Sequence, residues 1–194
     1  MSLIVPDFTE SVVVRVPPDI DSSSRRVPAA LRLRRARGHE RRVGRSATVR
    51  VVAEAAGAFR RTAIERSDQR IAWDRTDQAF FAAGACHILA WVCRDSYPDR
   101  PIEIAGVRFA DGWQVFHAYA LWDGWAFDHS GWNPEPELLA ANTAFEGRPL
   151  ERVTIVDSLA DFCETHHSRM PHQYWQDPLP RARDYLSRYT PPWA

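Results

Sequence analysis

Two Asp-Gly pairs, Asp111-Gly112 and Asp123-Gly124, punctuate a stretch rich in aromatic and β-branched residues. Asp-Gly is among the strongest short signals for a tight hairpin, because the central positions of such turns need positive φ. Residues 102–109 alternate apolar and polar at period two; residues 113–122 follow the first pair and 125–128 the second. The spacing predicts three antiparallel strands in a meander. With 45% hydrophobic residues, including 8 Trp, 9 Phe and 5 Tyr, the chain has the apolar area for a core of its own.

Helical patterning flanks the meander. Residues 80–94 read as a loop and then a mostly buried helix, with Gly84 marking the break. Residues 134–144, 157–166 and 181–189 read as further helices, the second capped by Asp157-Ser158, and residues 150–156 as a strand. The expected fold is α+β: a helix carrying Cys86 packed on an antiparallel sheet carrying His117 and Asp128.

The N-terminal quarter has a different composition. Residues 1–50 hold 11 arginines against 5 acids, and the remainder holds 14 arginines against 20 acids. The chain contains no lysine. We expect residues 1–50 to be a partly ordered Arg-rich extension and residues 51–194 a single catalytic α+β domain. The segment 25–50, opened by Arg25 and closed by Arg50, is a candidate surface for an acidic partner. No aromatic residue interleaves with its arginines, so it offers no stacking platform and nucleic acid is not the expected partner. A non-catalytic binding module using this segment on nucleic acid or an acidic protein is the alternative to an enzyme.

No apolar run approaches the roughly 18–20 residues that a membrane span needs, and no secretory signal pattern opens the chain. Three cysteines without regular spacing do not make a disulfide framework. The expectation is a cytoplasmic protein with reduced thiols and no membrane partner, with delivery as an effector by a route independent of a signal peptide as a variant of it.

Cys86 falls at a helix start, His117 on one strand and Asp128 on the next. A helix N-terminus favours the thiolate. Pairing around Asp123-Gly124 places residue 119 opposite 128, so His117 lies diagonally from Asp128 on one sheet face. A thiol, a base and an orienting acid are what nucleophilic attack on an acyl carbon needs. Taken singly, Cys86 as a small buried side chain, His117 as a core histidine and Asp128 as a turn cap are plainer readings. Their joint order favours chemistry.

These residues resemble the transglutaminase-like branch of the papain-like cysteine enzymes. The resemblance rests on Gly84-Ala85-Cys86, His117-Ala118-Tyr119 and Trp125-Ala126-Phe127-Asp128, and spans residues 77–132. It implies Cys86 as nucleophile, His117 as general base and acid, and Asp128 as orienter. It implies acyl transfer on an amide through a thioester, as a protein glutamine deamidase, a transglutaminase or a peptidase, with a protein or peptide substrate and no cofactor. Asp128-His129-Ser130 stands where the family has Asp-Pro-Thr, and His87 follows the nucleophile directly. Gln78, eight residues before Cys86, is the candidate oxyanion donor. Trp113, Trp125 and Tyr119 are candidate substrate-binding aromatics. Cys163, His166, His167 and His172 are residue types that zinc accepts, but they lack a partner motif, so no metal is expected.

Overall fold

The structure, a computed structural model, describes residues 52–194. They all belong to one compact unit. The Arg-rich segment 25–50 lies outside the described residues.

Five strands form one antiparallel sheet: β1 (Glu103–Phe109), β2 (Val115–Trp122), β3 (Trp125–Asp128), β4 (Gly131–Pro134) and β5 (Leu150–Ile155), in the order β4-β3-β2-β1-β5. The expected meander is its centre. Asp123 (φ 46°) and Gly124 (φ 77°) are both left-handed and Trp122 pairs with Trp125, so this is a two-residue turn of the primed type. The Asp111-Gly112 connection is different. There Gly112 N donates to Phe109 O at 2.9 Å, and β2 begins only at Val115. Between β1 and β2, Val107 pairs with His117 but Arg108 pairs with Val115, which leaves Phe116 as an extra residue in a bulge. Bulges re-aim neighbouring side chains, and this one lies directly before His117.

Seven helices accompany the sheet among the described residues: α1 (Ala63–Ser67), α2 (Gln69–Trp73), α3 (Asp77–Ala82), α4 (Cys86–Ser96), α5 (Glu135–Glu146), α6 (Leu159–Thr165) and α7 (Pro178–Leu186). The side chains of Thr62, Asp68, Thr76, Ser158 and Asp177 cap α1, α2, α3, α6 and α7. Phe80 and Phe81 lie in α3 rather than in a loop, because Thr76 supplies a cap that starts a short helix ahead of Gly84.

Helix α4 is the central element. All seven residues from His87 to Cys93 are buried. Ile88, Leu89 and Val92 share a cluster with Ala120, Phe127, Trp132 and Leu186, and Trp91 shares another with Ile104, Val115 and Ala118. Full burial of each such aliphatic side chain contributes roughly 1.5–3 kcal/mol. The other sheet face carries Ala105, Val107, Tyr119, Leu121 and Ala126 against Leu138 of α5. His117 pairs with Val107, and Asp128 alternates with Ala126, so both belong to the face of α5. Helix α4 thus packs on the sheet that carries His117 and Asp128, as expected. The body of α4 covers the opposite face, and only its first residue reaches the imidazole. Arg181 of α7 donates to Asp77 Oδ1 (2.7 Å), Trp73 O (2.6 Å) and Arg75 O (2.7 Å), tying α7 to the start of α3. No helix among the described residues is long and apolar enough to cross a membrane.

Candidate active site

Gly84 has φ +127°, a conformation that side-chain-bearing residues rarely adopt, and it turns the chain into α4. Tyr174 Oη donates to Gly84 O at 2.6 Å and pins that turn. The N-cap, Ala85, has no side-chain oxygen to give, so the first amides of α4 receive no side-chain cap. Cys86 is the first helical residue and is partly exposed, whereas Cys93 and Cys163 are buried.

His117 is wholly buried, and its Nε2 donates to Asp128 Oδ2 at 2.9 Å. The other ring nitrogen, Nδ1, is buried without a conventional partner, and Cys86 is the neighbour that acts on the ring together with Asp128. Asp128 is fixed in turn: Ser130 donates to Oδ1 from its backbone N (2.8 Å) and its hydroxyl (2.6 Å), and Asn133 Nδ2 donates to Ser130 Oγ (3.2 Å). The hydroxyl two residues after the acid thus holds the carboxylate. His129 Nδ1 lies 3.0 Å from Asp128 Oδ2, so the carboxylate stands between two buried imidazoles.

The electrostatics follow from this layout. Burial pushes the Cys86 thiol up, but hydrogen bonding and charge from His117 and His87 more than offset it, and the thiol is held well below its ordinary range. Burial pushes His117 down, yet Asp128 and Cys86 raise it to about 10. Burial alone would raise Asp128; the two histidines hold it well below the carboxylate range. The favoured state is a thiolate beside an imidazolium on an ionised carboxylate. Cys93, buried with no such neighbours, is pushed up.

His87 is the residue that sequence reasoning passed over. Its Nε2 donates to Arg169 O at 2.8 Å, and Cys163 and Cys86 raise it to about 9 despite burial. Its place directly after Cys86 was the available signal. Cys163 Sγ donates to the same Arg169 carbonyl at 3.6 Å. His166 Nδ1 accepts from Val115 N at 3.3 Å, and His167 meets Trp113 edge-on. Among the described residues, the one group whose ligand atoms lie close enough to hold a metal ion is His117, Asp128 and His129, within 4.8 Å of one another.

The remaining sequence candidates separate. Gln78 donates its amide to Glu54 Oε1 at 3.1 Å, so a carboxylate already holds the proposed oxyanion donor. Tyr119 is 0% exposed and its hydroxyl donates to Glu135 at 2.8 Å; it is a core residue on the α5 face, which corrects the expectation of a substrate contact. Trp125 sits beside the Asp123-Gly124 turn and pairs with Trp122, three residues along β3 from Asp128. Trp113 is 57% exposed and stacks on His166.

Compared with protein-family models, with curated proteins and with solved structures, the chain matches none.

Proposed function

We propose that this protein is a thiol-dependent acyl-transfer enzyme acting on an amide, built on a papain-like, transglutaminase-like core. One observation carries the reading. The His117 ring is held through Nε2 by a buried, ionised Asp128, and a thiol whose pKa the same ring lowers starts the central helix. The group meant to orient, the group meant to carry the proton and the group meant to attack stand in that sequence.

The chemistry runs in two halves. The Cys86 thiolate attacks the amide carbon, an S–C bond forms, and the carbonyl π electrons move to oxygen. The amides at the start of α4, which no side chain caps, would serve as donors for that oxyanion. The tetrahedral centre collapses as the C–N bond breaks, and the imidazolium of His117 gives its proton to the departing nitrogen. A thioester and a neutral imidazole remain. The imidazole then takes a proton from water or an amine, the conjugate nucleophile attacks the thioester carbon, and the thiolate leaves. Water gives deamidation or peptide hydrolysis, and an amine gives transamidation.

The test is thioester trapping. Incubation with glutamine-containing peptides and hydroxylamine should yield peptide hydroxamate and ammonia, and Cys86→Ala should yield neither. Turnover should survive EDTA. Loss on chelation with recovery on zinc would instead make His117, Asp128 and His129 metal ligands. If Cys86 reacts with iodoacetamide no faster than Cys93 or Cys163 at neutral pH, the thiol reading is wrong.

A further inference from the structure

Beside Gly84 the surface folds into a narrow cleft whose walls are Arg61, Trp73, Phe80, Arg169, Tyr174 and Trp175. Gly84 lines the cleft two residues before Cys86, and Tyr174 on its wall feels the Cys86 charge, so the thiol lies near the cleft without lining it. Both arginines are half-buried. The guanidinium carbon of Arg61 stands 3.3 Å from the point where a Cβ on Gly84 would be. Arg169 is anchored from the other side, because its own carbonyl accepts from His87 Nε2. Tyr174, hydrogen-bonded to Gly84 O, closes the wall between them.

The other half-buried arginines of the described chain are neutralised. Arg75 pairs with Glu65 at 3.2 Å, Arg94 with Asp95 at 3.1 Å, Arg108 with Glu151 at 2.9 Å, Arg152 with Glu135 at 3.1 Å, and Arg181 with Asp77 at 2.7 Å. Among the described residues, no carboxylate pairs with Arg61 or with Arg169. Glu65 feels the Arg61 charge but pairs closely with Arg75, so two like charges meet at one cleft without an ion pair of their own, and a guanidinium removed from water needs a partner. The strain shows on Arg61, whose pKa is lowered by burial first and by the Arg169 charge next. The aromatic walls exclude water and strengthen any ion pair formed there.

We infer that Arg61 and Arg169 form an anion subsite that binds a carboxylate of the acyl substrate next to Cys86. The enzyme would then select amides that carry a negative charge close to the reacting carbonyl, such as acidic peptides. This rests on the thiol reading above and adds the substrate class to it. A guanidinium pair suits a carboxylate because its planar N–H forks match the two oxygens.

Iodoacetate and iodoacetamide test it directly. Each transfers its CH2 carbon to sulfur as iodide leaves, and the two differ by one carboxylate. The Cys86 alkylation rate with iodoacetate, divided by that with iodoacetamide, should fall roughly five- to tenfold in the Arg61→Gln, Arg169→Gln double variant, with the iodoacetamide rate held. Lysines at both positions should restore most of the preference. An unchanged ratio in the glutamine variant overturns the subsite and leaves the thiol reading standing. Slow iodoacetamide alkylation of Cys86 in the wild-type chain overturns the thiol reading itself. Protection of Cys86 by two glutamine peptides then distinguishes the source of the carboxylate. One is amidated and carries a glutamate side chain, the other is neutral in its side chains with a free C-terminus, and the stronger protector identifies the fit. Protection by neither overturns the proposal.

Discussion

His117 Nε2 lies 2.9 Å from Asp128 Oδ2, and both side chains are 0% exposed. The residues that make the contact come from neighbouring strands joined by the two-residue turn at Asp123-Gly124, and the bulge at Phe116 sits just before the imidazole. The contact is therefore fixed by backbone geometry on both sides. The carboxylate is fixed a second time by the two Ser130 donors on its other oxygen.

Asp128→Asn keeps the shape and removes the charge. The imidazole should lose its elevated pKa of about 10 and titrate closer to the ordinary 6.5, measured by NMR of the ring protons. Cys86 alkylation at neutral pH should slow by about tenfold or more, since the imidazolium that stabilises the thiolate is no longer held. Loss of a charge-assisted buried hydrogen bond should cost about 1.5–3 kcal/mol in urea unfolding. Asp128 is depressed in the folded chain, so its contribution is complete above the unfolded value near 3.9 and is lost as pH falls towards the folded value. The wild-type chain should therefore lose stability more steeply on acidification than the variant.

The thiol itself gives a pH signature. A pKa well below the ordinary range means that the Cys86 thiolate persists at acidic to neutral pH. Iodoacetamide alkylation of Cys86 should stay nearly level between about pH 6 and 8, whereas an ordinary thiol gains about tenfold per unit below its pKa near 8.5. Peptide mapping after a short pulse separates Cys86 from Cys93 and Cys163. A Cys86 rate that climbs tenfold per pH unit would remove the ion pair.

Much of this site is legible in the sequence because it depends on local signals. Asp123-Gly124 can make only a few turns, that turn fixes the register of residues 117 to 128, and Gly84 before Cys86 marks a break and a helix start. Pairs and partners that depend on long-range packing are not legible. Strand β4 is four residues, Gly131–Pro134, with a proline at its end, and nothing in its composition announces that it extends the sheet. The bulge that moves His117 follows from how Arg108 meets Val115 across two strands. Tyr119 alternates with the same period as a substrate contact would, and only the packing of Leu138 and Glu135 over it makes it core. Arg169 reaches the site through a turn after α6 that no periodic pattern describes.

Gly84→Ala probes the turn that delivers the thiol. At φ +127° an alanine is strained by about 1–3 kcal/mol. Its Cβ would also sit 3.3 Å from the Arg61 guanidinium, which must then shift. The variant should lower the urea midpoint by a corresponding amount without a change in m-value, and should slow iodoacetate more than iodoacetamide at Cys86. An unaltered midpoint would mean that the turn relaxes freely, and the geometry of the helix start would then not depend on glycine.

His87→Gln tests whether the second imidazole works on the thiol or only fills space. Arg169 O only accepts, so the Nε2 that meets it carries a proton. A glutamine amide keeps a donor to that carbonyl at similar length but cannot become cationic. If His87 only packs, the variant should lose stability through imperfect fit and leave the Cys86 titration where it was. If its charge stabilises the thiolate, the Cys86 pKa should rise, because one of the two groups that lower it is gone while burial still pushes upward. The alkylation profile would then move to higher pH while Asp128 and His117 keep their contact, seen as an unchanged His117 ring titration. The expected result is a rise with His117 largely unmoved, which makes His87 a positioning residue acting through the thiol. A Cys86 profile identical to that of the wild-type chain would leave His117 as the only imidazole that matters to it.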